Sequence, residues 1–276
     1  MTILYGTIGY TIFENNITRK KVIIFADKHD DLEPCPNNID IAVWFKTKFP
    51  TSKILLEEVP RNNVELQELW PTAKHTQSLK KIYLNNPKII TGLDIRPTLI
   101  PFSWELIFND KNIDPSYDIK FKEYIKNIDN FFCMKDPFFK NNLSNYNVTQ
   151  LKNTNIGKHF KKLKNNYSQI LKKYLHYLNK NIKTNKSFLN DINDLLDKIM
   201  EWNICANIIL HNKNKSVIVH VGLAHSEKII FLLKNHYRYN FISNKGINNL
   251  DDTIYFEPTS GCIQLNNDTD SQFGGY

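Results

Sequence analysis

No apolar run in this chain of 276 residues approaches the roughly eighteen residues that a membrane-spanning helix requires, so no transmembrane segment is expected. Residues 1–10 lack a basic stretch followed by a long apolar one, and a secretory signal is not expected either. Cysteine is scarce: Cys35, Cys133, Cys205 and Cys262 lie far apart, with no CxxC pair. Such spacing offers neither a disulfide framework nor a thiolate zinc site, and it points to a reducing, intracellular compartment. A GxSxG nucleophile elbow, a P-loop, a GxGxxG turn and an HExxH helix are all missing, which removes the chemistries those motifs carry. Gly6-Thr7-Ile8-Gly9 falls inside a strand hairpin rather than ahead of a helix, so it is not read as a phosphate cradle. There is no internal repeat.

What the chain does contain is enough for a core: 41% hydrophobic and 12% aromatic residues, with a charged fraction of 23% close to the globular norm. The net charge is +8, and the excess is local. Lys158, Lys161, Lys162, Lys164, Lys172, Lys173, Lys180, Lys183 and Lys186 crowd one segment. Such a cluster is either the solvated face of helices or a surface for an anionic partner, nucleic acid or membrane. It carries no recognised nucleic-acid fingerprint.

The periodicities define an α/β chain. Residues 2–13 are rich in β-branched and aromatic side chains, Glu14-Asn15-Asn16 reads as a turn, and 21–26 as a second strand, together a β-hairpin. Helical spacing covers 38–49 and stops at Pro50. A short apolar strand follows at 53–56, then helices at 63–70 and 74–84, and a strand at 88–93. This alternation predicts a mainly parallel central sheet with right-handed crossovers. From 102 to 211 the pattern changes to helices alone, at 117–132, 158–178 and 188–210, a large helical insert. Strand character returns at 216–221, followed by a helix at 224–236 and strands near 240–242, 253–256 and 262–265. The core domain is therefore expected at 1–101 and 212–265, with a flexible tail at 266–276.

Polar groups cluster where the apolar strands end. Asp27, His29, Asp30 and Asp31 follow the second strand, and Glu57, Glu58 and Arg61 the third. Asp94 and Arg96 follow the strand at 88–93, while His220 and His225 close the late strand in His220-Val221-Gly222-Leu223-Ala224-His225. In a parallel sheet all these ends share one edge, where open α/β sheets place their ligands. Read singly, His29 is a turn residue, Glu57 or Glu58 an ion-pair partner of Arg61, Asp94 and Arg96 a loop clamp, and His225 a helix-start residue. Read together, His29 and His225 with a carboxylate from Glu57 or Glu58 form a two-His, one-carboxylate ligand set for a divalent metal such as Mn²⁺, Zn²⁺ or Fe²⁺. His220 is a further candidate ligand or a core residue. The other glutamate suits a general base, and Arg61 or Arg96 an anion stabiliser. His75, His159, His176, His211 and His236 sit in helical or polar contexts with no such company.

Four segments in this order resemble the Tiki/TraB superfamily, which takes in ChaN-like and erythromycin-esterase-like proteins. They are Ala26-Asp27-Lys28-His29, Leu55-Leu56-Glu57-Glu58-Val59-Pro60-Arg61, Gly92-Leu93-Asp94-Ile95-Arg96-Pro97 and Gly222-Leu223-Ala224-His225. Ala26 stands where the family pattern has glycine, and Arg61 follows the acid at a shorter spacing than the family's. The likeness spans about 22–97 and 216–235 and leaves out the helical insert. It implies an α/β fold and either a metal-dependent hydrolase of peptide or ester bonds, with a peptide or small-molecule substrate, or a non-catalytic protein binding haem or another ligand on the same scaffold. The third reading, an anionic-surface or nucleic-acid binder, rests on the lysines alone. The chain also holds 36 asparagines. With lysine and isoleucine they make a bias resembling that of giant DNA viruses or AT-rich protists, for which a host cytoplasm or a virion is the expected setting.

Overall fold

The computed structural model describes residues 2–28, 30–60, 76–86, 90–99, 117–134, 153–179, 186–210, 216–255, 258, 260–265 and 273. The chain forms two compact units, Met1–Asp94 with Ile204–Tyr276, and Ile95–Asn203.

The first unit is built on a six-stranded sheet of β2 (Gly9–Asn15), β3 (Lys21–Asp27), β5 (Lys53–Leu56), β6 (Ile90–Gly92), β7 (Ser216–Gly222) and β8 (Tyr239–Gly246). Its order is β6-β5-β7-β3-β2-β8. Strands β6, β5, β7 and β3 run parallel, and β2 joins β3 as the expected antiparallel hairpin. In β3 and β7 every residue after the first is buried, the continuous apolar run that a strand covered on both faces needs. At the hairpin turn Asn15 Oδ1 accepts from the backbone N–H groups of Ile17 and Thr18, both at 3.0 Å, an Asx turn.

Residues 2–13 are not one strand. The chain breaks at Gly6, whose φ of 106° is open to glycine and strained for other residues. Upstream, β1 (Thr2–Tyr5) joins a separate three-stranded sheet, parallel to β4 (Asn38–Asp40) and antiparallel to β9 (Cys262–Leu265). The helix read at 38–49 therefore starts later, as α1 (Ile41–Lys48), where Asp40 caps it by accepting from Ala42 N at 2.8 Å. The helix read at 74–84 is α2 (Gln77–Asn85), and that at 224–236 is α7 (Leu223–Asn235). The helix read at 63–70 lies outside the described residues. The strand read at 253–256 is a correction: the segment is helix α8 (Leu250–Tyr255). Asn249 Oδ1 accepts from Asp252 N at 2.8 Å, and Asp251 and Asp252 occupy the first turn. A capped start with carboxylates at the positive end of the helix dipole outweighs the strand preference of Thr253, Ile254 and Tyr255.

Aromatic rings dominate the core beneath this sheet. Phe25, Trp44, Phe45 and Phe49 pack edge to face or tilted at centroid distances of 5.2–6.3 Å. Phe273 closes the cluster, 5.2 Å from Trp44 and 5.3 Å from Tyr10, and is buried. The segment expected as a flexible tail is thus anchored at this residue. Burying a ring of this size contributes roughly 1.5–3 kcal/mol.

The second unit is helical, with no strand among its described residues. It holds the short α3 (Arg96–Leu99), α4 (Tyr117–Phe132), α5 (Asn155–Asn179) and most of α6 (Lys186–Leu210). Helices α5 and α6 run antiparallel: Trp202 Nε1 donates to Ile156 O at 3.1 Å near one end, and Tyr174 meets Phe188 at 4.8 Å near the other. Phe131 of α4 packs on Phe160 and Trp202, and Phe132 stacks on Tyr167. Among the described residues no helix is long and apolar enough to cross a membrane.

The cysteines depart from expectation. Cys35 and Cys262 form a disulfide, with Cα atoms 6.3 Å apart across a sequence separation of 227, while Cys133 and Cys205 are free. No local spacing announces a bridge whose partners lie so far apart. The loop before β4 is held at two further points: Tyr5 donates its hydroxyl proton to Leu32 O at 3.1 Å, and Gly261 N donates to Glu33 O at 3.2 Å. Unfolded protein is expected to alkylate at two cysteines before reduction and four after it, as read by intact mass.

Lys20, just ahead of β3, is buried, and its ammonium donates to Ile208 O in the last turn of α6. Burial lowers its pKa from 10.5 to about 8. Between those values the unfolded chain binds more protons than the folded one, so stability gains from Lys20 as pH rises from about 8 to 10.5. Urea titrations across this window are expected to show that rise in the wild type relative to Lys20→Met, which lacks the titrating group.

Candidate active site at the carboxyl edge of the sheet

Because β3, β5, β6 and β7 run parallel, their carboxyl ends meet at one edge of the first unit. The register is explicit: Asp27 lies opposite Gly222, Leu56 opposite both His220 and Gly92. Past these pairs the ladder runs out, and the next residues carry the polar groups.

Glu57 is the centre of the arrangement. Its backbone N–H donates to His220 O at 3.1 Å, extending the β5–β7 pairing by one step. Its carboxylate then reaches the start of α7, where Oε2 accepts from Gly222 N at 2.7 Å. Gly222 is the N-cap of that helix, so the negative charge sits at the positive end of the helix dipole. The other oxygen, Oε1, lies 3.6 Å from Nε2 of His225, in the first turn of the helix. Both side chains are largely shielded, 7% and 13% exposed, so the carboxylate charge is weakly screened.

Glu58 goes elsewhere. Its side chain is buried, with Lys80 Nζ of α2 at 3.9 Å from Oε2. Its backbone oxygen accepts from Asp94 N at 3.1 Å, which ties the end of β5 to the end of β6. Asp94 is fully buried. This closeness depends on Gly92, where a Cβ would stand 2.5 Å from Glu58 O and 2.7 Å from the Tyr83 hydroxyl. That hydroxyl donates to Val59 O at 2.7 Å, so neither neighbour is loose. His220 is buried, and its Nε2 is 2.7 Å from Gly6 O. A carbonyl only accepts, so Nε2 carries the proton and His220 ties β7 to the break after β1.

The edge thus brings together Asp27, Glu57, Glu58, Asp94, His220 and His225 within the first unit. Asp30 and Asp31 are exposed, and Asp30 pairs with Lys28 at 2.9 Å. Arg96 belongs to the second unit, where Nη1 donates to Asp197 Oδ1 of α6 at 2.7 Å. His29 and Arg61 lie outside the described residues. Three contributors had no sequence signal, the Gly222 amide, the Gly6 carbonyl and Lys80, because each is defined by a tertiary contact.

The donor chemistry at the edge fits a divalent cation in part. A carboxylate oxygen and an imidazole nitrogen converge, the ligand types borderline metals favour. Among the described residues no group of three or more His, Cys, Asp or Glu is arranged to hold a metal. Comparison with protein-family models, curated proteins and solved structures finds no match.

Glu57→Ala strands the Gly222 N–H and is expected to lower stability to urea by about 1–3 kcal/mol. Glu57→Gln keeps an oxygen acceptor for that amide and is expected to cost less, so the difference reads the hydrogen bond apart from the charge.

Proposed function

We propose that the chain is a metal-dependent hydrolase of the Tiki/TraB-like type, acting on a peptide or ester bond at the carboxyl edge of its sheet. The observation that carries this reading is the pairing of Glu57 with His225, fixed by the Gly222 amide at the point where four parallel strands end. Glu57, His225 and His29 are the residues proposed to hold Mn²⁺, Zn²⁺ or Fe²⁺. A bound cation would polarise the scissile carbonyl and lower the pKa of water. Glu57 holds His225 in one orientation, because its carboxylate is itself held by the helix N-terminus. The proton of the attacking water is proposed to pass to a carboxylate at this edge and from it to the leaving amine or alcohol as the C–N or C–O bond breaks. Arg61 is the proposed partner of the developing oxyanion. Of the two settings expected, the Cys35–Cys262 bridge favours a virion over the reducing host cytoplasm.

The test is elemental analysis of protein purified without added metal or chelator, with hydrolysis measured on panels of fluorogenic esters and peptides. The wild type is expected to retain about one equivalent of metal. His29→Ala and His225→Ala are each expected to lose it and to lower hydrolysis by at least tenfold. Unchanged metal content and unchanged hydrolysis in both variants would overturn the proposal.

A further inference from the structure

The net charge of this protein is concentrated in one unit. Residues 95–203 hold 18 of the 36 basic residues but 11 of the 28 acidic ones, and so carry +7 of the net +8. Between Asp136 and Asp191 there is no Asp or Glu at all. Helix α5 lies within this acid-free stretch.

Over residues 155–174 the helix has two well-separated faces. Ile156, Phe160, Leu163, Tyr167, Ile170 and Tyr174 are buried, and their contacts with α4 and α6 occupy that side. The opposite side exposes Lys158, Lys161, Lys162, Asn165, Gln169, Lys172 and Lys173. At 3.6 residues per turn these seven fall within an arc of about 120° and extend roughly 22 Å along the axis. Lys173 pairs with Asp191 at 2.8 Å, and Lys164 donates to Phe132 O. Lys158, Lys161, Lys162 and Lys172 have no carboxylate within ion-pair distance among the described residues.

We propose that this face of α5 binds nucleic acid through its phosphate backbone. The inference does not rest on the hydrolase reading, because it concerns a different unit and different residues. Phosphates repeat at short, regular intervals along a strand, and a row of lysines on one rigid helix can neutralise several at once while releasing their counterions. Asn165 and Gln169, interleaved with the lysines, supply hydrogen bonds of the kind that position a phosphate backbone. An anionic membrane is the weaker fit. A surface-bound helix buries an apolar face in the lipid, and the apolar face of α5 is already occupied by α4 and α6. None of the large exposed apolar side chains of the described residues lies on α5.

The experiment is fluorescence anisotropy with the full chain and labelled duplex DNA or single-stranded RNA of about 20 nucleotides, across a salt series. Three proteins are compared: wild type, Lys158→Glu/Lys161→Glu/Lys162→Glu, and a control of equal charge change, Lys46→Glu/Lys48→Glu/Lys81→Glu, in the first unit. A Gln version of the α5 variant, with circular dichroism melting, keeps any loss of folding visible. The wild type is expected to bind at least one of the two nucleic acids, with affinity falling steeply as salt rises. The α5 variant is expected to bind at least tenfold more weakly, with a salt slope smaller by roughly two to three. The Gln version should weaken binding with an unchanged melting curve, and the control should bind as the wild type does. Absence of wild-type binding to both nucleic acids at low salt overturns the proposal. So does equal weakening by α5 and control variants, which would reduce the effect to net charge. Binding to phosphatidylserine vesicles without binding to nucleic acid overturns it in favour of a lipid surface.

Discussion

Parallel pairing of β7 between β3 and β5 governs where everything else in the first unit goes. The β3–β7 ladder runs for seven residue pairs, from Lys21 opposite Ser216 to Asp27 opposite Gly222, and joins stretches nearly two hundred residues apart. With both faces covered, neither strand has a polar side to turn outward, so polar groups collect at the ends. β7 is central, so the groups ending β3 and β5 arrive on either side of the helix that leaves β7. At that point the β5–β7 register has ended, at Leu56 opposite His220, and Gly222 N takes the Glu57 carboxylate. The pairing of Glu57 with His225 follows from a strand order.

Much of this is legible in the sequence. The apolar runs of β3, β5 and β7 announce buried parallel strands, and the three- and four-residue steps of α4, α5 and α6 announce the helical unit. What misled was local preference without tertiary context. Residues 2–13 read as one strand because Ile, Thr, Tyr and Phe favour extension, yet Gly6 lets the chain pass from one sheet to another. Thr253, Ile254 and Tyr255 read as strand, yet Asn249 and two aspartates begin a helix there.

At the site, sequence names the right neighbourhood and not the right partner. Glu57 and Glu58 are adjacent and chemically alike, but side chains alternate across a strand, so at its end one turns to α7 and the other to α2. Which goes where depends on the covering of each face. Asp94 and Arg96 pose the same difficulty at another scale: two residues apart in the chain, they fall in different compact units, and the arginine finds its carboxylate 101 positions later.

The bridge between Cys35 and Cys262 closes the chain into a covalent ring. All of the second unit, with α2, β5, β6, β7, α7 and β8, lies on that ring. A single backbone cut within it opens the ring without releasing a piece, so the two fragments remain one particle while the bridge stands. The long helical excursion between Asp94 and Ile204 can then be nicked, lengthened or exchanged while β3 and β7 stay tethered to each other by a second route. Continuity of the first unit thus runs through sulfur as well as through the peptide backbone.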